Sequence, residues 1–95
     1  MRNENIEQII ISNLKTFDPE FIGLFGSFTE AGQNYRDIDI LVKFRKNLSL
    51  LQLIRIENRL SDLLGIKADL ITEGALKNKR VKENIKKQLK IIYRA

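Results

Sequence analysis

The sequence lacks two residue types on which many active sites depend. Its 95 residues include no cysteine and no histidine. Without cysteine there are no disulfides and no thiolate chemistry, which is compatible with a cytoplasmic protein. Without histidine, Ser-His-Asp hydrolysis, histidine zinc sites and a histidine general base are excluded. Acid–base or metal chemistry must come from carboxylates, lysines, tyrosines or the substrate, and oxygen ligands favour Mg²⁺, Mn²⁺ or Ca²⁺.

Long hydrophobic runs are also missing. No apolar segment approaches the roughly 20 residues that a membrane span needs, and residues 1–10 show no signal-peptide pattern. We therefore expect a cytoplasmic protein with no membrane partner. A chain of 95 residues with 43% hydrophobic content predicts one small domain, residues 1–95, with a modest core.

Positive charge is concentrated at the carboxyl end. Residues 77–95 carry eight Lys or Arg residues and one acidic residue, Glu83, and contribute +7 to a net charge of +5. Aromatic residues are not interleaved with these charges as base stacking would require. The pattern therefore favours a solvated face or a protein contact over nucleic acid.

Hydrophobic spacing predicts alternating helices and strands. Helices are predicted over 4–17, 49–64 and 75–93, strands over 21–25, 37–44 and 66–71, and one helical turn over 28–32. Asp18-Pro19 ends the first helix, because proline disfavours a helical conformation in the residue before it. Ser49 is a good N-cap for the second helix, and Gly65 fits the position after its last residue.

The second predicted helix has two apolar faces. Its main stripe, which we expect to be core, consists of Leu53, Ile56, Leu60, Leu63 and Leu64. Leu50, Leu51 and Ile54 fall outside that stripe. A second apolar face on so short a domain suggests a homo-oligomer contact or a surface for a different partner.

The most informative segment is residues 25–42, FGSFTEAGQNYRDIDILV. Gly26-Ser27 follows one apolar strand, and Asp37 and Asp39 begin the next. A strand points alternate side chains to the same face, so the two aspartates aim at one spot. Two converging carboxylates beside a Gly-Ser turn can hold Mg²⁺ against a phosphate chain. This apparatus is typical of nucleotidyl transfer.

A third carboxylate, Asp69, lies within the apolar strand predicted over 66–71. Burying it unpaired would cost several kcal/mol, so it is expected to be paired or metal-bound. If that strand lies beside the second, Asp69 joins Asp37 and Asp39, and their mutual repulsion calls for a cation.

Each candidate residue has a role in such a site. Asp37 and Asp39 would hold Mg²⁺, and Asp69 would bind a second metal or accept the proton of an attacking hydroxyl. Gly26 permits close backbone approach, and Ser27 offers a hydroxyl and an amide to phosphates.

A purely structural alternative exists for the same residues. Asp37 would cap a turn, and Asp39 would pair with Arg36 or Lys43. Asp69 would accept a hydrogen bond from a backbone amide. The combination of Gly-Ser, Asp-x-Asp and a later strand aspartate favours the functional interpretation, because each element alone is common.

These residues resemble the minimal nucleotidyltransferases of the DNA polymerase β superfamily. The hallmark of that family is Gly-Ser, about ten residues, Asp-x-Asp and a third aspartate on a later strand. Here it corresponds to FGSFTEAGQNYRDIDILV and KADLIT, and the closing Lys-Ile-Ile-Tyr is also similar. The resemblance implies an α/β (α+β) fold with a small mixed sheet flanked by helices, ATP as substrate and one or two Mg²⁺ ions.

The resemblance also implies a partner. Small members of the family work with a separate helical protein of the HEPN type in toxin–antitoxin pairs. The nucleotidyltransferase acts as antitoxin by transferring AMP to a tyrosine of the toxin, or by binding it. The favoured hypothesis is therefore Mg²⁺-dependent transfer of AMP from ATP to a hydroxyl of such a toxin.

Two alternatives follow from the same comparison. Nine residues separate Ser27 from Asp37, and Glu30 stands where the family tends to carry a basic residue. These departures motivate a binding module that neutralises its partner by contact. Nucleotidyl transfer to a small molecule is a third hypothesis, against which the lack of an acceptor-binding domain argues.

Overall fold

The computed structural model describes residues 3–26 and 37–95. These residues form α1 (Asn3–Leu14), β1 (Pro19–Phe25), β2 (Asp37–Phe44), α2 (Leu50–Leu64), β3 (Lys67–Thr72), α3 (Lys79–Gln88) and β4 (Lys90–Arg94). Single 3₁₀ turns follow α1 and β3, at Lys15–Phe17 and Glu73–Ala75. The helical turn predicted over 28–32 lies outside the described residues.

The four strands form one mixed sheet in the order β3-β2-β1-β4. β1 pairs antiparallel with β2 and with β4, whereas β2 and β3 run parallel. Parallel neighbours need a crossover connection, and α2 supplies it. The predicted small mixed sheet flanked by helices is confirmed.

The ends of α1 and α2 follow from local sequence. Ser49 Oγ accepts a hydrogen bond from Gln52 N at 3.1 Å, and Gln52 Oε1 accepts one from Ser49 N at 2.9 Å. This capping box fixes the start of α2, and Gly65 closes it with a φ of 71°. After α1 and its 3₁₀ turn, Asp18 adopts a φ of 58° and Pro19 begins β1. The predicted ends of both helices are confirmed to within a few residues.

One face of the sheet is closed by α1 and α2. The buried side chains of this core come from both helices and from β1, β2 and β3: Ile6, Ile10, Leu14, Ile22, Leu24, Ile38, Ile40, Val42, Ile56, Leu60, Leu64 and Ala68. Each aliphatic side chain of this size contributes about 1.5–3 kcal/mol by leaving water. Leu63, predicted as core, is instead 48% exposed.

The opposite face holds a smaller core. Phe25 of β1, Leu41 of β2 and Ile85 of α3 are its buried members. Leu89, next to the last residue of α3, packs directly on Gly23, where a Cβ would lie 2.5 Å from Leu89 Cδ1. Glycine at position 23 therefore makes room for the junction between α3 and β4.

The carboxyl end corrects a prediction. The single helix predicted over 75–93 is wrong: α3 covers Lys79–Gln88, and Lys90–Arg94 form β4. Tyr93, expected in a last helical turn, pairs with Ile22 of β1. Leu89 and Ile92 continue the helical spacing of Ile85, which concealed the change of period. The β-branched and aromatic run Ile91–Tyr93 was the signal for a strand.

Side chains of α2 cover the edge of the sheet formed by β3. On the outer edge of β3, Ala68 N donates to Ser61 Oγ at 2.9 Å. Leu70 N donates to Glu57 Oε2 at 2.8 Å. Side chains of α2 thus occupy backbone donors that an edge strand would otherwise offer to another chain.

Several apolar side chains remain on the surface. Leu50, Leu51 and Ile54 of α2 are 74%, 57% and 43% exposed. They form the second apolar face that the sequence predicted. Across the described part of the chain, no helix has both the length and the apolar character to cross a membrane.

Candidate active site

The amino ends of β2 and β3 bring four charged residues together. In the parallel register, Asp37 pairs with Lys67 and Asp39 with Asp69. Paired residues of neighbouring strands point to the same face, and residues two apart on a strand do so as well. Asp37, Asp39, Lys67 and Asp69 therefore form a two-by-two array on the face that also carries Leu41.

The array lies at the rim of the smaller core. Along β2, Asp37 is exposed, Asp39 is half-buried and Leu41 is 1% exposed. Asp69 is half-buried in the same way as Asp39. The carboxylates are thus open to a ligand while part of their surface is shielded from water.

Burial and neighbouring charge alter the acidity of Asp39. Burial is the main cause that raises the pKa of its carboxyl group above 3.8. The negative charges of Asp69 and Asp37, and a hydrogen bond with the Asp69 side chain, raise this pKa further. The Lys67 ammonium lowers it. Asp39 therefore holds a proton more readily than a free aspartate.

Ion pairs around the sheet exclude part of the structural alternative. Lys43 Nζ lies 3.2 Å from Glu20 Oε2, so Lys43 is not the partner of Asp39. Asp69 has an ion pair with Lys67, whose Nζ lies 3.8 Å from Asp69 Oδ1. Arg36, the other proposed partner of Asp39, lies outside the described residues.

Gly26 lies directly beside the array. Phe25, which precedes it, pairs with Asp39 across β1 and β2. Gly26 has a φ of 79°, and a Cβ at this position would collide with Asp39 Oδ2. Only glycine combines this left-handed backbone with the close approach of the carboxylate. Ser27 and Glu30 lie outside the described residues.

The carboxylates fit a hard divalent cation in kind, although they do not form a complete site alone. Within residues 3–26 and 37–95, no three Asp, Glu, His or Cys side chains are gathered closely enough to hold a metal ion by themselves. Mg²⁺ is usually bound by one or two carboxylates together with waters and substrate phosphates. Asp39 and Asp69, with Asp37 on the same face, match that donor set.

Lys67 is a member of the charged array that the sequence prediction missed. It stands two positions before Asp69 in the segment KADLIT, where strand alternation puts both side chains on one face. The spacing of the two residues was the available signal.

Comparison with known proteins identifies the family of the chain. A family model described as polymerase beta, nucleotidyltransferase matches residues 4–95. The chain belongs to this family. It is therefore a nucleotidyltransferase, and the resemblance drawn from the Gly-Ser and Asp-x-Asp motifs is confirmed.

Two relatives of the chain are named as protein adenylyltransferases. The chain is 49% identical over 69 residues to “Putative protein adenylyltransferase MJ1217” of Methanocaldococcus jannaschii, covering 72% of this chain and 70% of that protein. It is 38% identical over 80 residues to protein adenylyltransferase MntA of Thermococcus cleftensis, covering 79% and 81% of the two chains.

Solved structures share the fold of this nucleotidyltransferase. One is a complex of tri-AMPylated HEPN toxin with MNT antitoxin from Shewanella oneidensis, matched with a TM-score of 0.81 and 22% identity over 99% of this chain and 74% of that one. Another is a toxin–antitoxin structure with AMP-PNP, with a TM-score of 0.81 and 24% identity over 94% and 73% of the chains.

Proposed function

We propose that this nucleotidyltransferase moves AMP from ATP to a tyrosine hydroxyl of a HEPN-type helical toxin, with Mg²⁺ as cofactor. By this transfer it acts as an antitoxin. The observation that carries the proposal is the Asp39–Asp69 pair, with Asp37 on the same face and Gly26 beside it. The named relatives support a protein acceptor, since MntA of T. cleftensis is called a protein adenylyltransferase. The S. oneidensis complex supports the kind of partner, because its HEPN toxin is AMPylated.

In this proposal the three carboxylates have different roles. Asp37 and Asp39 would hold Mg²⁺, which supplies charge neutralisation for the triphosphate and the leaving pyrophosphate. Asp69 would share in holding a cation or accept the proton that the acceptor hydroxyl releases. A bond forms between the hydroxyl oxygen and the α-phosphorus of ATP, and the bond from that phosphorus to pyrophosphate breaks. Gly26 and Ser27 would bring backbone donors to the phosphates.

The experiment that tests this proposal is intact-mass analysis of the partner. The full chain is incubated with ATP, Mg²⁺ and a HEPN-type helical protein from the same organism. The expected result is a mass gain of one or more AMP units, lost with a chelator and lost in Asp39→Asn. Asp62→Asn removes the same charge from the exposed side of α2 and is expected to transfer normally.

A second candidate function is neutralisation by contact alone. It is favoured by Glu30 and by the nine residues between Ser27 and Asp37. An unchanged partner mass with a stable complex would replace enzymatic transfer by this function. The double variant Asp37→Asn, Asp39→Asn separates the two in cells, because a contact antitoxin still protects and an adenylyltransferase does not.

A further inference from the structure

Lys67 is the basic side chain of the array that the proposed transfer leaves without a role. Its strand register places it opposite Asp37 and two residues before Asp69. Other described ion pairs of lysine, made by Lys43, Lys82 and Lys90, involve glutamates outside the array. Among the described residues, Lys67 is thus the cation that pairs with a carboxylate of the candidate site.

The Lys67–Asp69 pair is weakly held. Its atoms are 3.8 Å apart, and the two side chains are 69% and 37% exposed. Ion pairs this exposed contribute little to stability, because water screens them and the lysine gives up side-chain freedom. The ammonium can therefore leave Asp69 at small cost when another ligand offers a better contact.

Charge balance gives the lysine a second partner. Three carboxylates and one ammonium leave two net negative charges, which a single divalent cation offsets. A cation bound to Asp69 would weaken the attraction between this carboxylate and the Lys67 ammonium. A triphosphate bound at the same site would offer the ammonium phosphate oxygens in place of Asp69, and lysine is a mobile point-charge donor well suited to phosphate oxygens.

We propose that Lys67 is a positioning residue that pairs with Asp69 in the free protein and turns to the polyphosphate of a nucleoside triphosphate when the site is loaded. This inference rests on the proposed function. Lys67 is then expected to have opposite effects on two ligands. The lysine competes with a metal ion that binds alone, and it assists the binding of a nucleotide.

The test measures both ligands on the full chain. Mn²⁺ alone and AMP-PNP with Mg²⁺ are titrated by calorimetry into the wild type, Lys67→Met and Lys67→Arg. Lys67→Met is expected to bind Mn²⁺ about threefold more tightly, because a repelling charge is gone. The same variant is expected to bind AMP-PNP about tenfold more weakly, because a charge-assisted phosphate contact is lost. Lys67→Arg, which keeps the charge, is expected to restore most of the nucleotide affinity.

Lys43→Met is the matched control. Lys43 lies on the same face of β2, at its far end, and pairs with Glu20, so this variant makes the same change in net charge away from the array. Both affinities are expected to stay near the wild-type values. Thermal unfolding of each variant shows that the fold is retained.

The outcomes separate this inference from the function beneath it. If the wild type binds AMP-PNP and Lys67→Met leaves both affinities unchanged, or shifts both in the same direction, the role of Lys67 is overturned and the proposed function stands. If the wild type itself does not bind AMP-PNP, the proposed function fails and the role of Lys67 fails with it.

Discussion

The two faces of the sheet carry different kinds of side chain on the same strands. On β2, Ile38 and Ile40 point into the core closed by α1 and α2, whereas Asp37 and Asp39, which alternate with them, point to the other side. On β3, Ala68 belongs to the first face and Asp69 to the second. The period of two in a strand is what lets adjacent residues serve stability and chemistry separately.

The comparison also shows where stability is given up. The helix-covered face buries aliphatic side chains, each of which favours the folded state. The acidic face holds like charges close together, and burial with charge repulsion raises the pKa of Asp39. We infer that burial on the helix-covered face offsets the charge repulsion on the acidic face. Four substitutions test this inference, in order of decreasing expected effect.

The largest stability effect is expected on the helix-covered face. Ile40→Ala removes a fully buried side chain and leaves a cavity, which costs about 2–5 kcal/mol of unfolding free energy. Urea denaturation measures the loss. Leu50→Ala, a similar truncation at a site that is 74% exposed, is expected to change stability by less than about 0.5 kcal/mol. Equal effects of the two truncations would contradict the assignment of this core.

Gly26→Ala is the next substitution, at the border of the acidic face. A side chain at a φ of 79° costs about 1 kcal/mol, and its Cβ would also push Asp39 away. Gly65→Ala is the matched control, since φ there is 71° and nothing lies within 4 Å of an added Cβ. Both variants are expected to lose stability, but only Gly26→Ala to lose transfer, measured by partner mass. Transfer by Gly26→Ala at the wild-type rate would show that the contact with Asp39 is dispensable.

A smaller effect is expected at the edge of β3. Glu57→Ala removes the acceptor of the Leu70 amide, which lies 2.8 Å from Glu57 Oε2. The expected loss is about 0.5–1 kcal/mol of unfolding free energy, because a partly buried amide loses its hydrogen-bond partner and is left to bond water. Glu83→Ala on the exposed side of α3 controls for loss of a carboxylate. No difference between these two variants in urea denaturation would mean that α2 does not stabilise this edge.

The smallest effect is a pH dependence on the acidic face. Because the folded state raises the pKa of Asp39, ionisation of this group opposes folding. The protonated Asp39 contributes fully to stability below pH 3.8, the ordinary pKa of the group. This contribution decreases as pH rises through the raised pKa of the folded state. Asp39→Asn cannot ionise, so in metal-free buffer its stability advantage over the wild type should grow between about pH 3 and pH 7. Chemical denaturation across this range measures the difference in stability, and a difference that does not change with pH would exclude a raised pKa of Asp39.

The sequence predicted those parts of the fold whose signals are local. The alternation in Asp37–Phe44 and the Ser49 cap of α2 required no knowledge of neighbours, and both predictions are confirmed. β4 could not be found in this way, because Leu89 and Ile92 continue the helical spacing of the apolar residues in α3. Pairing with β1 decides its conformation, and that contact is not local.

In the candidate site, too, the local features could be predicted from the sequence and the tertiary contacts could not. Strand alternation put Asp37 and Asp39 on one face, whereas the approach of Asp69 depended on which strands are neighbours. The parallel pairing of β2 and β3 supplies that fact. The contact between Gly26 and Asp39 is likewise tertiary, since β1 brings the glycine beside the carboxylate. The roles of these residues in transfer stay predictions.

The most direct test of the division between the two faces compares two adjacent residues. Asp39→Asn and Ile40→Val are assayed together for AMP transfer to the HEPN-type partner and for thermal unfolding without metal. Asp39→Asn is expected to unfold at or above the wild-type temperature and to lose transfer on the order of 10²–10³-fold. Ile40→Val is expected to lose about 0.5–1.5 kcal/mol of stability and to transfer normally while folded. Normal transfer by Asp39→Asn, or loss of transfer in a folded Ile40→Val, would contradict the account.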